Sequence, residues 1–65
     1  MIKFVRKYDA YGCTWVDVVY ESGRLVMVEY KDAPKTVKKY MEEATKITDQ
    51  YDSTFKRGET IYEKE

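Results

Sequence analysis

Hydrophobic and polar residues change period along this chain, and the change divides it into elements. From Met1 to Tyr8 they alternate loosely, with Ile2 and Phe4 on one side, Lys3 and Lys7 on the other, and Val5 blurring the pattern. Alternation predicts a strand, because successive side chains of an extended chain point to opposite faces. Asp9-Ala10-Tyr11-Gly12 reads as a turn, its glycine supplying a positive φ. Thr14 to Tyr20 is the clearest strand, dominated by β-branched and aromatic residues. Val16, Val18 and Tyr20 make one apolar face of it; Trp15, Asp17 and Val19 make a mixed one. Glu21-Ser22-Gly23-Arg24 then supplies turn chemistry, and Leu25 to Tyr30 returns as the antiparallel partner strand.

At Lys31-Asp32-Ala33-Pro34 the period lengthens. Proline has a preset φ and no N–H to lose, so it suits the first turn of a helix. It pushes Ala33 extended, and Asp32 is placed to offer a carboxylate to the open amides of that turn. Val37, Tyr40, Met41, Ala44 and Ile47 recur at helical spacing and predict an amphipathic helix from Pro34 to Ile47. Lys38–Glu42, Lys39–Glu43 and Glu42–Lys46 stand four apart, each such pair worth about 0.2–0.5 kcal/mol on a helix. Tyr51 and Phe55 continue the spacing by fours, yet Thr48, Asp49, Asp52, Ser53 and Thr54 favour caps and turns. The tail therefore reads as a short second helix or turn stopped near Gly58, with Thr60-Ile61-Tyr62 as a short last strand. The expected architecture is one α+β domain over residues 1–65. It has an antiparallel sheet of three or four strands and one amphipathic helix packed on one face.

Composition narrows what such a scaffold does. The chain has no histidine and one cysteine. Histidine is the usual general base and the commonest metal ligand, and one thiol closes no internal disulfide and builds no cysteine zinc site. No phosphate loop or dinucleotide fingerprint is present, and Asp49 and Asp52 lack calcium-loop spacing. The chain reads as non-catalytic, with no cofactor. A chain this short buries only about 60% of its unfolded surface, so its core is thin. Two phenylalanines, one tryptophan and seven tyrosines offer large area per side chain in return.

Twelve basic residues balance twelve acidic ones. Residues 1–39 hold eight basic and five acidic side chains, residues 40–65 four and seven. A neutral total argues against binding by broad phosphate neutralisation and against DNA mimicry. No apolar run is long enough for a membrane span or a signal peptide, and a lone Cys13 fits a reducing compartment. The expectation is a soluble cytoplasmic protein.

The order strand, turn, strand, proline-opened helix, aromatic tail resembles the KTSC domain, a small bacterial module found alone or at the C-terminus of some lysyl-tRNA synthetases. The likeness is carried by Val18-Val19-Tyr20-Glu21-Ser22-Gly23, Val28-Glu29-Tyr30, Ala33-Pro34-Lys35-Thr36-Val37, Ala44, Tyr51 and Ile61-Tyr62. It spans about residues 16–62. Val28 stands where the family has the first tyrosine of a tyrosine-any-tyrosine motif, leaving Tyr30. The resemblance implies contact with RNA. In size and style the chain also resembles the short proteins that phages carry to block host enzymes.

Candidate contact residues follow from the aromatic load. Tyr20, Tyr30, Tyr40, Tyr51 and Tyr62 are too many for so small a core, and tyrosine suits interfaces through its ring and hydroxyl. Tyr20 and Tyr30, at opposite ends of the hairpin, would flank a flat recognition surface. Trp15 has two readings. If the helix covers the Val16 face, Trp15 anchors an open patch; if it covers the mixed face, Trp15 is core and Val16 and Val18 face outward. Arg6, Lys7, Lys31, Lys35, Lys38 and Lys39 would form a basic stripe near Tyr30 and Tyr40, the pairing that holds single-stranded nucleic acid. Cys13 reads as a half-buried small apolar residue.

The leading expectation is a protein-interaction module that docks through Trp15, Tyr20, Tyr30 and Tyr40, with a phage-type inhibitor of a host enzyme as one form. An RNA-binding or single-stranded nucleic-acid-binding module using the basic stripe is the alternative. A self-associating homodimer that buries the surplus rings is the third.

Overall fold

The computed structural model describes residues 1–52 and 57–64. Its elements are β1 (Ile2–Ala10), β2 (Cys13–Tyr20), β3 (Leu25–Glu29), a 3-10 turn at Tyr30–Asp32, α1 (Lys35–Glu42), β4 (Lys46–Asp52) and β5 (Arg57–Glu63). The five strands pair antiparallel in one sheet of order β3-β2-β1-β5-β4. The α+β class matches the sequence reading; the three- or four-strand sheet is corrected to five.

The extra strand is β4. Residues expected to finish the helix and form a turn pair with β5 instead, from Lys46↔Glu63 to Asp52↔Arg57. The physical reason is that a spacing of four satisfies both periods. Ile47 and Tyr51 share a face one helical turn apart, and equally share a face of a strand. The neighbours decide: Thr45, Ile47 and Thr48 are β-branched, which costs χ1 freedom in a helix and packs well on a pleated sheet. So α1 stops at Glu42, and Ala44 and Ile47 lie beyond it. With Lys46 in a strand, Glu42–Lys46 is not a helical pair. Ser53, Thr54 and Phe55 of the expected turn lie outside the described residues.

The start of α1 also differs. Pro34 is the residue before the first helical one, its carbonyl accepting from the Val37 and Lys38 amides at 3.0 and 3.1 Å. No side chain caps that end, and Asp32 lies in the 3-10 turn rather than on the open amides.

Two turns set the register of the first three strands. Tyr11 and Gly12 alone connect β1 to β2, both at positive φ (53° and 76°), with Ala10 paired to Cys13. Two positive-φ residues in a two-residue loop match the twist of the flanking strands. The expected four-residue turn is thus two residues, with Asp9 and Ala10 inside β1. The Glu21–Arg24 turn forms as read. Gly23 takes φ 93°, and its amide donates to the Tyr20 carbonyl at 2.9 Å.

Helix α1 covers the Val16–Val18 face. Val5, Val16, Val18, Ala33, Val37 and Met41 are its buried core, with Ile2, Tyr20, Val26, Val28, Tyr30, Tyr40 and Tyr62 packed around them. Burying each large aliphatic side chain contributes about 1.5–3 kcal/mol, so four buried valines and one methionine make a thin core. A shift of register between Ile2 and Phe4 explains why β1 alternated poorly. It moves Ile2 to the helix side with Val5 and sends Phe4 to the other face. Among the described residues no helix is long and apolar enough to cross a membrane.

Candidate functional site

The face of the sheet away from α1 has the more unusual composition. Its register places Phe4, Val19 and Leu25 in one cross-strand row. The next row is Ile61, Arg6, Asp17 and Met27; the third is Glu59, Tyr8, Trp15 and Glu29. Large apolar side chains thus surround a charged centre. This settles the two readings of Trp15: it stands on the open face, half-buried, while Val16 and Val18 are core.

Asp17 is only 5% exposed although no described helix lies over it. Its neighbours on the sheet bury it and satisfy it. The Tyr8 hydroxyl donates to Oδ1 at 2.8 Å, and Arg6 Nη2 donates to Oδ2 at 2.9 Å. A carboxylate out of water needs such partners, since a buried charge left unpaired is strongly unfavourable. Arg6 Nε, also buried, has no acceptor among the described residues. Trp15 Nε1 donates to the Ala10 carbonyl at 2.8 Å, which pins the indole against the end of the β1–β2 hairpin.

Around this centre the surface forms a concavity of about 990 Å³, open to solvent. Leu25 and Met27, 54% and 57% exposed, form one wall; Tyr11, 97% exposed, stands at the hairpin tip. Apart from Arg6 Nε, the Arg6, Tyr8 and Asp17 polar groups at its floor are paired with one another, so the surface meets an incoming group chiefly with apolar area.

The four residues expected to act together are divided by the sheet. Trp15 lies on the open face, whereas Tyr20, Tyr30 and Tyr40 pack half-buried against the core on the helix side. Trp15 therefore shares no face of the sheet with Tyr20, Tyr30 or Tyr40. Tyr40 is tied down at both ends of its hydroxyl: it donates to the Lys3 carbonyl at 2.9 Å and accepts from the Lys64 amide at 3.0 Å.

The basic stripe divides as well. Arg6 is on the open face, paired with Asp17. Lys7 and Lys38 place their ammonium groups 4.5 and 5.5 Å from the centre of the Tyr30 ring. Each such contact is worth about 0.5–1 kcal/mol at an exposed site, and it occupies the ring that a base would stack on. Lys31 bonds Glu29 at 3.4 Å, and that hydrogen bond, then the Glu29 charge, holds its pKa above the ordinary 10.5. Lys35 and Lys39 remain as exposed positions on α1. Cys13 is exposed at the start of β2, not half-buried as expected. Among the described residues no cluster of carboxylates and thiols could hold a metal ion.

Sequence reasoning missed Tyr11, Leu25 and Met27. The signal for Tyr11 was available: a two-residue hairpin loop favours Asn-Gly, and this one has Tyr-Gly. Leu25 and Met27 needed the pairing Asp17↔Met27 and Val19↔Leu25, which follows only once the turn length is known. Comparison with family models, curated proteins and solved structures finds no match. The likeness to the KTSC domain accordingly rests on the residues that suggested it.

Proposed function

We propose that this chain is a non-catalytic protein-interaction module whose contact surface is the open face of β1–β3, and that it acts by occluding or positioning its partner. The observation that carries the reading is Tyr11. It occupies a left-handed backbone position that disfavours an ordinary side chain, and it holds a large ring almost wholly in solvent at one end of the concavity whose far wall is exposed Leu25 and Met27. Strain kept at an exposed aromatic suits a contact residue better than a packing one. Trp15 beside it, its N–H already satisfied, offers a preorganised ring at the centre of the patch. An inhibitor that covers a host enzyme's surface, as short phage proteins do, is one form of this activity. The exposed lone thiol fits the reducing cytoplasm as its setting.

The nucleic-acid alternative has less support, because its lysines and arginine lie on different faces and two of them cover the Tyr30 ring. The test is affinity capture from cells that naturally hold the protein. Tyr11→Ala, Trp15→Ala and Met27→Lys should lose the same captured protein together, while Lys35→Glu on α1 keeps it. Identical capture by all four variants would overturn the assignment of this face. Filter binding to single-stranded RNA across a salt series tests the alternative, which requires affinity that falls steeply as salt rises.

A further inference from the structure

A second surface stands apart from the open face. On the helix side, one apolar row crosses all five strands: Val26, Val18, Val5, Tyr62 and Ile47 are successive cross-strand neighbours. At the β3 end the row closes on Val26, half-buried against the core. At the β4 end it runs out to Ile47, which is 58% exposed. Tyr51, on the same face of β4, is 69% exposed. β4 is an edge strand with no proline, glycine or register shift along Lys46–Asp52. An edge of this kind is a template for another strand.

We propose that β4 pairs antiparallel with β4 of a second copy, about a two-fold axis through Asp49, making one continuous ten-strand sheet. A two-fold of this kind must pair residues whose positions sum to a constant. Centred on Asp49, it sets Ile47 opposite the partner's Tyr51, Tyr51 opposite the partner's Ile47, and Thr48 opposite the partner's Gln50. The strand is thus complementary to itself. The apolar row that ends at Ile47 continues onto a tyrosine ring in each direction.

The occupant is a second copy for two reasons. The residue needed opposite Ile47 is supplied by the same strand, four positions on and on the same face. The chain also carries no net charge, so copies approach without long-range repulsion. Pairing β4 with itself closes as a dimer, whereas pairing it with a different edge would propagate. The one opposing feature is Asp49 against its own copy. Its carboxylate accepts from the Thr60 hydroxyl at 3.0 Å, which draws it back over its own sheet.

Sedimentation of the full chain over a concentration series, up to millimolar, tests this. The wild type should show a reversible monomer–dimer equilibrium. Ile47→Lys and Tyr51→Lys should each weaken it by about 2- to 30-fold, since each removes two cross-strand pairs. Asp49→Asn should tighten it by about 1.5- to 5-fold, the range for relieving one like-charged pair. Native mass spectrometry of wild type mixed with Asp49→Lys should show more mixed dimer than a statistical distribution. A wild type that stays monomeric overturns the proposal. So does a dimer that survives Ile47→Lys and is lost in Met27→Lys, because it would lie on the open face. A statistical mixture with Asp49→Lys overturns the register. Circular dichroism of each variant confirms the fold, and the substituted side chains are exposed in the monomer.

Discussion

Tyr11 shows how one residue can be unfavourable for folding and still be kept. A left-handed conformation costs an L-residue roughly 1–2 kcal/mol, least for asparagine and glycine. Tyr11→Asn should therefore stabilise the fold by about 0.5–1 kcal/mol in chemical denaturation, while partner capture falls. Stability rising as binding falls is the signature of a contact residue; at a merely structural Tyr11 the substitution would leave capture unchanged. Arg6 makes the reverse case. Arg6→Gln removes the charge that balances Asp17 in a mostly dry site, and should cost about 1–3 kcal/mol by urea titration. Arg6 is partly exposed, which keeps the loss below that of a fully buried pair. Tyr11 left a signal in its Tyr-Gly loop, whereas Arg6 left none. Arg6 read as one basic position among six, because the register that sets it opposite Asp17 depends on the length of the turn between them.

Among the elements, β2, β3 and their turn were legible because pattern, propensity and glycine placement agreed there. The helix was legible in kind and wrong in length, and β4 was not legible. Ile47 to Tyr51 satisfies a helix and a strand equally, and what decides between them is β5, whose ladder with β4 is a tertiary fact. The faces of the tyrosines were hidden for the same reason. Tyr40, expected as a contact residue, fastens α1 to the Lys3 carbonyl on β1 and the Lys64 amide just past the neighbouring β5. Tyr40→Phe keeps the ring and removes both bonds. It should lower stability by about 0.5–1.5 kcal/mol, measured by denaturant midpoint, with partner capture unchanged.

For the whole molecule, the thin core and the bare sheet edge bear together on the proposed pairing. If β4 pairs with its copy, folding is linked to association, and the thermal midpoint of the wild type should climb with protein concentration. In Ile47→Lys it should stay flat. For a domain of this size each kcal/mol of linkage moves the midpoint by about 4–8 °C, within reach of a calorimeter. The order β3-β2-β1-β5-β4 carries a consequence of another kind, in time. β1, β2 and β3 find each other through neighbouring hairpins, and β4 finds β5 the same way. In the sheet, the seam from Val5↔Tyr62 to Tyr8↔Glu59 joins the two halves, and closing it means bringing together segments from far along the chain. That seam is then the slow event. Ile61→Val on it should retard refolding in stopped-flow mixing, whereas Val26→Ala out on β3 should chiefly hasten unfolding.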